Sequence, residues 1–149
     1  MKPILYRAKA INRNPNMNYR TDYQNGDWVY GLVSKLYKYD DKYFAEMTNT
    51  DGVSGIDVDP ETICEYTGLT DKNGNKIFDD DIVQFEDDTP GQYEYHDDTF
   101  MNVGVVEYNN GRFYFTNRVS VEMDDIIYEN IADCTVIGNI YDNPELLEK

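Results

Sequence analysis

The sequence predicts a mainly β protein assembled from antiparallel hairpins, and two observations carry that prediction. Fourteen of the 149 residues are tyrosine, a side chain that favours pleated, half-buried surfaces where the ring packs and the hydroxyl stays wet. Three Asn-Gly dipeptides, Asn25-Gly26, Asn73-Gly74 and Asn110-Gly111, each precede a strand-like run: Trp28 to Leu36, Ile77 to Phe85 and Arg112 to Thr116. Asn and Gly accept the positive φ of tight turns, so this dipeptide between apolar runs marks a hairpin. The three segments share turn chemistry, not a repeated sequence, and no solenoid period is present.

Taken in order, Ile4 to Ile11 reads as a first strand, followed by an Asn-rich polar loop from Asn12 to Gln24. Trp28 to Leu36 and Tyr43 to Met47 pair across the polar turn Asp40-Asp41. A loop from Asn49 to Gly55 precedes a short strand, Ile56 to Val58. Asp59-Pro60-Glu61-Thr62 reads as a helical turn, with Asp59 as N-cap and proline in the first position. Ile63 to Tyr66 leads into the stretch Tyr66 to Phe85, which holds the turns Thr67-Gly68 and Asp71-Lys72-Asn73-Gly74 and the alternating run Ile82-Val83-Gln84-Phe85. The acidic stretch Glu86 to Asp98, with Pro90-Gly91, is expected to be the most mobile loop. Met101 to Tyr108 and Arg112 to Thr116 form a third hairpin. Within Val121 to Ile131, Met123, Ile126, Ile127 and Ile131 fall at helical spacing and predict a short amphipathic helix. Val136 to Ile140 closes the sheet. Asn143-Pro144-Glu145-Leu146-Leu147 begins a short C-terminal helix, capped by Asn143.

The length suits a single domain, residues 1–149, or two tightly packed β lobes meeting near 60–70. Hydrophobic residues make up 40%, enough for a real core. Thirteen basic against twenty-nine acidic residues give a net charge of −16. A surface that negative repels phosphate backbones, so direct nucleic-acid binding is not expected. The charge fits a solvated surface, or an acidic face that imitates DNA and occupies a host nucleic-acid-binding protein. No apolar run approaches the ~20 residues of a membrane span. The start, Met1-Lys2-Pro3-Ile4-Leu5-Tyr6-Arg7, shows no secretory h-region. Together these features predict a cytoplasmic protein without membrane contact. Cys64 and Cys134 lie seventy positions apart with no metal-type spacing, and are expected to be buried, reduced thiols unless the fold joins them.

The residues that might carry chemistry fail on their own terms. Asp71-Lys72-Asn73-Gly74-Asn75 is superficially a calcium loop, but such a loop requires glycine at its sixth position and glutamate at its twelfth. Those positions hold Lys76 and Ile82. Asp79-Asp80-Asp81 stacks three carboxylates, but on a strand neighbours point to opposite faces, so Asp80 shares no site with Asp79 and Asp81. His96 is the only histidine, set in an acidic loop, which excludes a multi-histidine metal site. Ser34, Ser54 and Ser120 lack a nucleophile-elbow context, and the ten glycines sit at turns and make no phosphate-binding pattern. The sequence therefore offers no catalytic, cofactor-binding or metal-ligating set, and a non-enzymatic protein is expected. Trp28, Tyr30, Tyr37 and Tyr39 alternate along one strand, with Tyr43 and Phe44 on the next. Lacking a positive groove, they are expected to pack in the core or at a subunit interface, with core packing preferred.

Several blocks appear in a telling order: Ile4-Leu5-Tyr6-Arg7-Ala8, Asp27-Trp28-Val29-Tyr30-Gly31, Val58-Asp59-Pro60-Glu61-Thr62, Tyr66-Thr67-Gly68-Leu69 through Asp81-Ile82-Val83, Gly104-Val105-Val106, and Val136 through Leu147. Across essentially the whole chain this resembles the YopX family of phage and prophage proteins. One departure is visible: where the family pattern has a glycine before Asp-Ile-Val, this chain has Asp80. The resemblance implies a mainly β fold with barrel-like or SH3-like subdomains, a phage or prophage origin and self-association. It supplies no catalytic residues. It fits an accessory protein that works through contacts with itself and with a host or phage protein.

Overall fold

The computed structural model describes residues 3–12, 23–86, 101–109, 111–117, 124–126 and 134–147. The fold is mainly β, with eleven strands among the described residues: β1 (Tyr6–Lys9), β2 (Trp28–Tyr39), β3 (Lys42–Asn49), β4 (Ile56–Val58), β5 (Cys64–Thr70), β6 (Lys76–Phe78), β7 (Asp81–Glu86), β8 (Met101–Asn109), β9 (Arg112–Asn117), β10 (Asp124–Ile126) and β11 (Thr135–Asn139). They form two antiparallel sheets, ordered β4-β3-β2-β1-β5-β6 and β10-β9-β8-β7-β11. The chain divides into two compact units, Met1–Tyr66 and Thr67–Lys149.

In the first unit, β1 and β2 pair from Tyr6↔Gly31 to Lys9↔Trp28, and β2 and β3 pair from Gly31↔Asn49 to Tyr39↔Lys42. The hairpin turn Asp40-Asp41 holds both residues at positive φ, 51° and 61°. That is the conformation a two-residue hairpin loop needs, and Asp is among the few non-glycine residues that tolerate it. Asp59 caps the 3-10 turn Pro60–Thr62 by accepting from the Glu61 N–H at 3.0 Å, as its sequence predicts. Alternation delivers one face of the strands to a core of Ala8, Ala10, Val29, Ala45, Met47, Ile56 and Val58,.

In the second unit, β8 and β9 pair from Gly104↔Asn117 to Asn109↔Arg112, with Gly111 at φ 81° in the turn between them. Ile77, Val83, Val106 and Cys134 make its core, with Leu69, Phe113 and Val136 packed against it.

Four expectations need correction. The run Ile77 to Phe85 is not one strand. Asp80 at φ 67° turns the chain between β6 and β7, so the break falls on the residue that replaces the family glycine. The expected barrel is not borne out: among the described residues neither sheet closes into a continuous ladder. The nearest approach is an isolated Ala10↔Val58 bridge, flanked by Ile11 N–H to Asp57 O and Asp59 N–H to Lys9 O. The predicted helix over Val121 to Ile131 gives way at Asp124–Ile126 to β10, paired with β9; the rest of that segment lies outside the described residues. A few apolar residues at i, i+3 and i+4 are weak support for a helix when two of them are β-branched isoleucines and an edge strand is free to pair. Finally, the C-terminal helix is a single 3-10 turn, Pro144–Leu147. The Asn143 carboxamide turns back to accept from the Asn139 N–H at 3.3 Å.

Candidate functional site

The carboxylates singled out in the sequence are largely spent on the fold. Asp71 is buried and accepts from the Asn73 and Asn75 N–H groups on Oδ1, and from the Val136 N–H and Asn75 Nδ2 on Oδ2. Burial pushes its pKa up, but the backbone donors of Val136 and Asn75, the Asn75 side chain and the Asn73 N–H outweigh that and hold it below its ordinary value,. A carboxylate ringed by N–H donors presents the wrong surroundings to a cation. The calcium reading ends there.

Two of the triplet, Asp80 and Asp81, are equally structural. Asp81 is buried at 1% exposure and accepts from the Phe78 N–H at 2.7 Å, tying the two sides of the turn together. Asp80 donates its N–H to Val106 O and accepts the Ile140 N–H on its carbonyl. Its Oδ2 takes the Tyr141 hydroxyl at 2.7 Å. Asn139, buried, accepts from the Tyr141 and Asp142 N–H groups and donates to Asp142 Oδ2. Asp81 and Asn139 are also register partners across β7 and β11.

Among the described residues no three His, Cys, Asp or Glu side chains come together as a metal site. Cys64 and Cys134 are buried free thiols. Ser34 donates to Glu46 O, and Ser54 accepts from Thr48 Oγ1. His96 and Ser120 lie outside the described residues. No helix among the described residues is long and apolar enough to cross a membrane.

The aromatic strand is where structure departs most from expectation. Tyr30, Tyr37, Tyr39 and Tyr43 are exposed rather than core, while Trp28 and Phe44 are half-buried. The pairing ladders explain why. The β1 ladder on β2 stops at Gly31 and the β4 ladder on β3 at Ala45, so beyond those points, among the described residues, β2 and β3 pair only with each other. Every residue from 34 to 43 is exposed. A cross-strand pair stiffens this ribbon, Tyr37 stacked on Phe44 at 5.4 Å, and Lys35 on the same strand lies over the Tyr37 ring at 4.7 Å,. Sequence reasoning missed Leu32 and Leu36, exposed at 51% and 61%. The sequence carried no signal for this, because the mismatch between a twelve-residue β2 and a four-residue β1 appears only in the structure.

A family model described as YopX protein matches residues 18–148. The chain belongs to the YopX family. A similar solved structure is the crystal structure of protein EF1440 from Enterococcus faecalis, 26% identical over 83% of this chain and 91% of that chain, with a TM-score of 0.46. No curated protein matches.

The two blocks that mark this chain as YopX-like, from Tyr66 to Val83 and from Val136 to Leu147, meet at Asp80. They form a turn and its clasp. Replacing Tyr141 with phenylalanine is expected to lower stability by about 1 kcal/mol, read from urea midpoints. In an Asp80→Gly background, which removes the acceptor, the same change is expected to cost close to nothing.

Proposed function

We propose that this YopX-family protein is a phage- or prophage-encoded accessory protein of the host cytoplasm, non-enzymatic, and working through protein–protein contacts that include self-association. The observation that carries this reading is the exposed β2–β3 ribbon, which displays Leu36, Tyr39 and Tyr43 to solvent at 61%, 72% and 61%. Exposed apolar surface marks interaction sites on soluble proteins, and tyrosine is enriched at such sites. The use of Asp71, Asp80 and Asp81 as fold elements supports the non-enzymatic part. Light scattering across the micromolar range tests it: a mass above that of the 17.4 kDa chain is expected, and 17.4 kDa at every concentration counts against self-association.

A further inference from the structure

The ribbon is unusual in carrying apolar side chains on both faces. Register puts Leu32, Tyr37, Phe44 and Tyr39 on one face, and Leu36 with Tyr43 on the other. An isolated two-stranded ribbon is marginal in water, and among the described residues no third strand pairs with its outer part. Resting on the self-association reading above, we propose that the ribbon is an arm that lies against the body of a second copy, with two copies exchanging arms about a two-fold axis.

Charge selects this occupant and this geometry. Residues 32–43 carry three lysines, Lys35, Lys38 and Lys42, against two aspartates, Asp40 and Asp41. Their net charge is +1, which leaves −17 for the rest of a −16 chain. Body-to-body contact sets two strongly acidic surfaces together, and ribbon-to-ribbon contact sets two weakly positive segments together. Only arm against body joins opposite signs, and a two-fold exchange satisfies it twice. Edge-to-edge strand addition is further discouraged by the lysines on the ribbon and by the bulge between Val33 and Lys35, the devices that protect open edges.

Area agrees. The exposed parts of Leu32, Leu36, Tyr37, Tyr39 and Tyr43 come to on the order of 570 Å², at about 200 Å² per side chain. One arm alone falls short of the roughly 800 Å² per partner of a standard interface. Because each copy in an exchange also covers the other's arm, the pair exceeds it.

The test compares the full chain with two variants, Leu36→Ser/Tyr39→Ser/Tyr43→Ser and Lys35→Glu/Lys38→Glu/Lys42→Glu, by light scattering and thermal melting. All six positions are exposed, so both variants are expected to keep the wild-type strand signal. The wild type is expected at about twice 17.4 kDa and each variant at half the wild-type mass. A folded variant that stays dimeric overturns the arm while self-association stands. A monomeric wild type overturns the self-association reading and the arm with it, and assigns the ribbon to an unlike protein. Should the serine variant fail to fold, the glutamate variant decides alone.

Discussion

Gly31→Ala is expected to destabilise the first unit by about 2–4 kcal/mol, the scale of overpacking a well-filled site against backbone. A Cβ built at Gly31 lies 2.0 Å from Thr48 O, 2.8 Å from Asn49 Cα and 2.9 Å from Thr48 C. All three are backbone atoms of the neighbouring strand, so no rotamer change relieves the clash. β2 and β3 must move apart at the Gly31↔Asn49 pair. That pair anchors more than itself. The Asn49 side chain accepts from the Asp51 and Val53 N–H groups, Asn49 N–H donates to Val53 O, and Thr50 N–H donates to Tyr30 O. Moving the strand loosens a turn as well as a ladder. Gly52→Ala is the control: nothing lies within 4 Å of its Cβ, and only its φ of +86° opposes a side chain, a cost of about 1–2 kcal/mol. Urea denaturation of both variants is the measurement. If Gly31→Ala costs no more than Gly52→Ala, the close approach is not what glycine is there for.

Gly31 also shows what the sequence could and could not disclose. Its place in an alternating run made the strand legible, because alternation and turn residues act over a few positions. The hairpin turns at Asp40-Asp41 and Gly111, the cap at Asp59 and the strand at Ile56–Val58 were legible for the same reason. The reason for glycine at position 31 was not, since it lies in a backbone seventeen residues away. The extent of pairing was hidden too. Tyr37, Tyr39 and Tyr43 satisfy β-propensity equally well on a core face or on a free ribbon, and only the length of the neighbouring strand decides between them. The split at Asp80 was half visible: the departure from the family glycine flagged the position, but propensity alone carried Ile77 to Phe85 through it. The clasp by Tyr141 and Asn139 lies some sixty residues further on, beyond any local signal.

The Asp71 carboxylate is the other such clasp, and its removal is expected to cost about as much as Gly31→Ala. It accepts Asn73 and Asn75 N–H at 2.9 and 2.8 Å on one oxygen. On the other it accepts Val136 N–H at 3.0 Å, across sixty-five positions, and Asn75 Nδ2 at 3.3 Å. The main chain reinforces the same junction, with Lys72 N–H donating to Cys134 O at 3.1 Å. Asp71→Ala leaves the Asn73, Asn75 and Val136 N–H groups without this acceptor, the first two on exposed residues and the third half-buried. At about 0.5–1.5 kcal/mol net per hydrogen bond lost, and with the bonds coupled within one turn, the expected loss is about 3 kcal/mol. Asp71→Asn keeps the Oδ1 contacts but turns an amide donor toward Val136 N–H, so about half that loss is expected. The pH dependence separates charge from shape. Hydrogen bonding holds the folded pKa below the ordinary 3.8 despite burial, so the folded state releases its proton more readily than the unfolded chain. The stabilisation from the ionised carboxylate is therefore fully present above pH 3.8 and is lost as pH falls through the lower, folded pKa. The wild-type advantage over Asp71→Asn in urea is expected to be constant at neutral and mildly acidic pH and to shrink only below that window. An advantage that grows on acidification would mean that burial, and not the ring of N–H donors, governs this carboxylate.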